Sequence, residues 1–183
     1  MLGEVSIISK AFKNKKTIKA NELTNALNWD KVWKWKDYEQ FVNVVFYSKS
    51  KILGANLSRS EITSIYNGAQ PLKGYVSTTN EVKKQLFDII SLSHKLNPEE
   101  NKELLDKLVE IQQFKDRRMA DVLVHHVNKV LLLAGSYHTS KKIGIPLHIQ
   151  DFKSSKKIVV VNLSYGEIDL KDSDYVLIYK GEE

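Results

Sequence analysis

The chain has 183 residues, 28 Lys and Arg against 22 Asp and Glu, a formal charge of +6 and no cysteine. That length with 42% hydrophobic residues is enough for one globular domain over 1–183, while the missing thiol excludes disulfides, thiolate metal sites and thiol nucleophiles among these residues. Lysine pairs such as Lys15-Lys16, Lys83-Lys84, Lys141-Lys142 and Lys156-Lys157 are scattered, which reads as a solvated surface suited to an anionic ligand and not as a nucleic-acid interface.

Residues 6–48 read as helices. Val42, Val45 and Phe46 lie three and four apart behind the aromatic segment Trp29 to Tyr38, so an apolar stripe alternates with charges. The run Lys51 to Leu57 reads as a buried strand feeding a helix from Glu61 to Tyr66, with Ser58 and Ser60 as caps. Asn67 to Thr79 is rich in Gly, Pro and Ser/Thr and reads as a loop. Asn80 opens a helix to Leu96 with Val82, Leu86, Ile89 and Ile90 on one face, and helix resumes after Pro98 through Leu104, Leu105, Leu108 and Ile111. The stretch 99–127 is long for one helix, so a break is expected near Phe114 to Asp116. Three apolar runs follow, 129–134, 157–163 and 174–179. Helices leading into continuous apolar runs indicate an α/β fold, a mostly parallel sheet with helices packed on it and a long helical insertion over 60–127. No apolar run approaches the ~18 residues that a membrane-spanning helix needs.

In open parallel sheets ligands sit beyond the carboxyl ends of strands, which points to Asn56–Arg59 and to Gly135-Ser136-Tyr137-His138. Gly135 is read as letting the chain leave its strand sharply, which either presents Tyr137 and His138 at the sheet's rim or simply ends the strand in a turn with a surface Tyr and His. Gly144-Ile145-Pro146 is read as a rigid turn with Ile145 extended, either placing Leu147 to Ile149 as a wall over the site or only stiffening a loop. If helical, Gln113 to Ala120 puts Gln113 and Arg117 on one stripe and Asp116 and Met119 on its neighbour, which reads either as a surface ion-pair helix or as Asp116 orienting an Arg towards an anion. His125-His126 lacks the spacing of a helical zinc site, and at most one of the two is functional. Trp29, Trp33, Trp35 and Tyr38 read as helix–sheet packing, although flat aromatic walls also suit a planar ligand.

Taken together, WDKVWKWKDY (29–38), ILGANLSR (52–59), QFKDRRMA (113–120), LAGSYHTSKKIGIP (133–146) and DYVLIY (174–179) resemble the ChaN-like haem-binding uptake family, related to the Tiki and TraB proteins. The match runs through the family's Trp…Trp…Tyr helix, its Asn-Leu-x-Arg strand end, its Gln…Asp…Met-Ala helix and its Gly-x-x-His…Gly-x-Pro turn. The resemblance implies ferric haem held in pairs at a homodimer interface, with a tyrosine as iron ligand and a histidine nearby. Tyr137 is the first candidate ligand, with Tyr66 and Tyr75 as substitutes. His138 carries over from the Gly-x-x-His motif as a partner of the phenolate or a propionate. Arg117 and Arg118 are expected to ease loss of the phenol proton, and Arg59, Lys141 and Lys142 to pair with propionates. The family places such proteins in the cell envelope, often through a lipid anchor that these residues do not contain.

The family's first strand, its Gly-Glu-x-His turn and the following helix do not precede Met1, and Met1-Leu2 resembles the tail of the second strand. The chain is therefore expected to correspond to the family without its amino-terminal portion, leaving strands without their usual partners. Relatives with paired Gly-x-x-His motifs are metal-dependent hydrolases, which makes hydrolysis through His138 the alternative activity. An interaction domain without chemistry is the third reading.

Overall fold

Residues 5–164 and 172–178 are described by a computed structural model, with Val5 to Ile7 given as backbone alone. The chain divides into two units, 1–55 and 56–183. The expected Met1-Leu2 strand tail lies outside the described residues.

The first unit is helical, as its periodicity predicts. Helix α1 (Val5–Lys13) is followed by a 3₁₀ turn (Ala20–Glu22), α2 (Leu23–Ala26) and α3 (Trp35–Tyr47). Val42 and Phe46, one turn apart on α3, close over Ala11, Leu23, Leu27 and Trp29, and the Phe12 and Phe46 rings stand 4.9 Å apart. The buried Trp29 indole N–H donates to the Trp33 carbonyl at 2.7 Å, and its ring meets Trp35 edge-on at 5.0 Å. The aromatic cluster thus joins helices and turns of this unit instead of packing a helix on a sheet. The expected strand at Lys51 to Leu57 is not one: these residues join no ladder, and Leu53 is exposed.

In the second unit, α4 (Arg59–Tyr66) starts where Ser58 accepts from the Glu61 amide while the Glu61 carboxylate takes the Ser58 N–H, a reciprocal cap. Helix α5 (Asn80–His94) is capped by Thr79 and ends at Lys95 in the left-handed region. Helix α6 (Lys102–His125) runs unbroken for 24 residues, correcting the break expected near 114–116. Its residues 105, 109, 113, 116 and 120 form one buried stripe. The polar members find partners within the unit, so burial reinforces the helix there. It packs against α4, α5 and α8 (Ile145–Asp151), after the single turn α7 (Ser136–Thr139). Val82, Leu86, Val109, Ile143 and Leu147 make the core.

Two strands complete the described architecture, β1 (Val161–Ser164) and β2 (Tyr175–Ile178). They pair in parallel, with Val161 opposite Tyr175 and Leu163 opposite Leu177. The fold is thus α/β, helix-rich with a small parallel sheet. Tyr179, the end of the predicted last strand, lies outside the described residues. The run 129–134 forms no ladder among the described residues, although its exposure alternates with the period of a strand: Leu131 and Leu133 out, Leu132 and Ala134 partly in.

Candidate functional site

The stripe of α6 that faces the unit's interior carries two polar side chains, and each fixes a piece of the site. Gln113 donates to the Ser77 carbonyl at 2.9 Å, holding the loop before α5. Asp116, fully buried, accepts from Nδ1 of His138, and Gln112 lies 2.9 Å from the same nitrogen. Burial pushes the Asp116 carboxyl up to about 6, against the stabilising effect of His138 and Gln112. Its second oxygen has no partner. A carboxylate at Nδ1 fixes the orientation of the His138 ring, as carboxylates do for functional histidines. Sequence reasoning assigned Asp116 to an arginine; the structure gives it His138 instead.

Tyr137 precedes that histidine on α7 and is 53% exposed. Its hydroxyl has no hydrogen-bond partner among the described residues. What shapes this turn is Gly144. A Cβ there would stand 2.2 Å from the His138 carbonyl oxygen and 2.7 Å from that of Tyr137, so the α7–α8 corner closes only with glycine. Gly135 is different from the expectation: it adopts φ −64° and ψ 153°, open to any residue, and an added Cβ would meet only His138 at 3.9 Å. Nor is Ile145 extended before Pro146. It is the first residue of α8, whose second position tolerates proline because its N–H needs no helical acceptor. Gly144→Ala is expected to cost about 2 kcal/mol, the scale of overpacking, and to weaken any ligand held by Tyr137; urea unfolding and ligand titration check both.

Arg117 belongs to a second network. Its Nη2 donates to Asp151 at 2.8 Å and to Ser77 Oγ at 3.3 Å, and its Nε to His148 Nδ1 at 3.1 Å. The guanidinium also lies over the Phe152 ring, 5.1 Å from its centre. Asp151 takes the Val76 amide at 2.8 Å and the Ser77 hydroxyl at 2.5 Å. Burial raises its carboxyl but Ser77, Val76 and Arg117 outweigh that and hold it below the ordinary value. His148 is wholly buried, with Nε2 unpartnered. Burial, then Arg117, lowers it to about 4, so it is neutral at pH 7. Gly74 is needed here, since a Cβ would sit 2.1 Å from Asp151 Oδ2.

The remaining candidates are spread over the unit. Arg118 pairs with Glu61 of α4, whose carboxyl is lowered to about 2 by the Ser58 amide first and Arg118 second. Lys141 reaches Asp174 at 2.6 Å, and Lys142 stands 3.9 Å from Asp172. Arg59 is exposed and has no ion pair among the described residues. Tyr66 lies under Lys107, 4.7 Å from the ring centre, and Tyr75 is exposed near Lys153. His125 and His126 are exposed and turn back to carbonyls of their own helix. The arrangement therefore brings together Tyr137, His138, Asp116 and Gln112. It offers an exposed phenol beside an oriented imidazole. Among the described residues no group of three His, Asp or Glu stands ready to hold a metal ion. A cavity of about 410 Å³ lies elsewhere, lined by Leu72, Phe87 and Val109 among others.

Residues 6–149 match the family model described as haem-binding uptake, Tiki superfamily, ChaN. No curated protein matches the chain. A solved structure described as cofacial heme binding to ChaN of Campylobacter jejuni is 98% identical, with a TM-score of 0.92, over 96% of this chain and 69% of that one.

Proposed function

Because the chain belongs to the ChaN haem-binding uptake family of the Tiki superfamily, we propose that it binds ferric haem through Tyr137, with two chains enclosing the ligand. One observation carries the reading: a half-exposed tyrosine with a free hydroxyl adjoins a histidine held by the buried Asp116. A phenolate is a hard anionic ligand suited to ferric iron, and the exposed position leaves room for a flat macrocycle. The haem supplies the redox-active iron and two propionates. This chain supplies the phenol, the oriented His138 imidazole beside it, and cations for the propionates, Arg59 with no competing carboxylate among the described residues and Lys141 from beside Asp174. Arg117 and Arg118, being engaged by Asp151 and Glu61, contribute by holding α6 in place.

A second chain fits because Tyr137 stands on a surface turn and lines neither described cavity, so one protomer covers one side of the ligand. The cofacial heme binding described for the Campylobacter jejuni relative supports the same arrangement. Residence in the cell envelope, through a lipid anchor outside these residues, belongs to this reading and is tested by cell fractionation; among the described residues no helix is long and apolar enough to cross a membrane.

Titrating the 183-residue chain with ferric haem is expected to give a saturable Soret shift, and sedimentation with and without haem an increase from monomer to dimer. No Soret change at saturating haem would overturn the reading, and saturation by a species that stays monomeric would remove the shared site.

A further inference from the structure

We infer that one corner of the first unit docks on a bilayer surface bearing anionic phospholipid headgroups. The charge of the chain is unevenly divided. Residues 1–55 hold ten lysines against five Asp and Glu, whereas residues 56–183 hold 18 Lys and Arg against 17 Asp and Glu. Nearly all the net positive charge therefore sits on the smaller unit, an asymmetry that points to an anionic partner.

The fold gathers this charge further. Lys15 Nζ donates to the Ser48 carbonyl at 2.7 Å, and the Tyr47 hydroxyl donates to the Ile18 carbonyl at 2.8 Å. Those two bonds lay the turn after α1 against the end of α3, so Lys13, Lys15, Lys16 and Lys19 share one corner with Lys49 and Lys51. All of them except the partly covered Lys15 are exposed, and none of the six has an ion pair among the described residues. In the second unit, by contrast, Lys84, Lys102, Lys107 and Lys141 each stand beside a carboxylate. A favourable place at the carboxyl end of α1 accounts for Lys13, but not for the other five. Like charges crowded in this way repel one another, and an anionic surface relieves the repulsion.

The residue types favour a bilayer over a folded protein or a nucleic acid. The first unit has no arginine, and it is the planar guanidinium fork that reads a carboxylate or a base edge in fixed geometry. Lysines are point charges on flexible stems, suited to headgroups that are not fixed in place. The same corner also shows apolar surface. Tyr47 is 44% exposed with its hydroxyl already bonded, and Leu53, two residues beyond Lys51, is 43% exposed. A half-exposed tyrosine beside lysines suits the depth of the headgroups, where ring and stems meet lipid and the charges stay in water.

The test sediments the full 183-residue chain with vesicles of phosphatidylcholine alone or with about 30% phosphatidylglycerol, at about 50 mM and about 300 mM salt to vary the screening. Binding is expected to the anionic vesicles alone, and to fall at least about tenfold at the higher salt. K13Q, K16Q, K19Q and K49Q together should weaken it at least about tenfold with the helical circular dichroism unchanged. K83Q, K129Q, K153Q and K157Q together remove as much charge from the second unit and should change it less than about threefold. No binding to the anionic vesicles overturns the inference, as does equal binding to the neutral ones or an equal loss in the two quadruple variants. Tighter binding to an RNA duplex or to polyglutamate than to the anionic vesicles would overturn the bilayer as the partner.

Discussion

Arg117→Met is expected to destabilise the second unit by about 3 kcal/mol or more, the scale on which removing one member of a buried ion pair is felt. The Asp151 side chain is only 2% exposed. Without the guanidinium it keeps the Val76 and Ser77 donors but loses its counter-charge, and His148 loses the donor to Nδ1. Three segments come apart at once, since this one side chain ties α6 to the 73–77 turn and to α8. Arg117→Lys restores a charge without the fork that serves Asp151 and His148 together, and should fall between the two. Urea unfolding measures the series; a loss below 1 kcal/mol for Arg117→Met would show that the network is not what holds these segments.

Stability between pH 6 and 4 is expected to be nearly level, for opposing reasons, and Asp116→Asn should tilt it. His148 is lowered from 6.5 to about 4 in the folded chain. The stability of its neutral form is fully present above pH 6.5 and is lost as pH falls to 4, about 3 kcal/mol at ~1.4 kcal/mol per unit. Asp116 is raised from 3.8 to about 6, so its buried charge costs stability above pH 6. That cost is relieved as pH falls towards 4, by a similar amount. Asparagine keeps an oxygen for His138 while removing the proton uptake, which leaves the His148 loss uncompensated. The variant should therefore lose about 3 kcal/mol between pH 6.5 and 4 where the parent changes little. Parallel curves for the two proteins would contradict the assignment.

What was legible in the sequence was whatever repeats at short range. The stripes of α3, α5 and α6, the Ser58 cap and the loop before α5 depend on neighbours within four residues, and they lie where periodicity puts them. The site's scaffold depends on pairs far apart: Asp116 with His138, and Asp151 with Val76 and Ser77, residues separated by 22 to 75 positions. One signal was available. Asp151 ends α8, where a carboxylate opposes the helix dipole, so a partner elsewhere had to hold it. Flexibility and close approach look alike in a sequence, so the sharp turn expected at Gly135 depends instead on Gly144. Gly135 has room for a side chain and Gly144 does not. Strand runs 51–57 and 129–134 read correctly as apolar, but a ladder is a property of two segments, and pattern in one cannot supply the other.

The resemblance to a haem-binding family, carried by five short segments, agrees with the match over residues 6–149. It carried over His138 and left Tyr137 a candidate, without revealing that Asp116 orients that histidine and that Gly144 closes the turn bearing both residues. The most direct measurement is the resonance Raman spectrum of the ferric haem complex of the parent chain and of Tyr137→Phe. Tyrosinate modes enhanced in the parent and absent from the variant are the expected result. The same modes persisting in the variant, or missing from both, would contradict iron ligation by Tyr137.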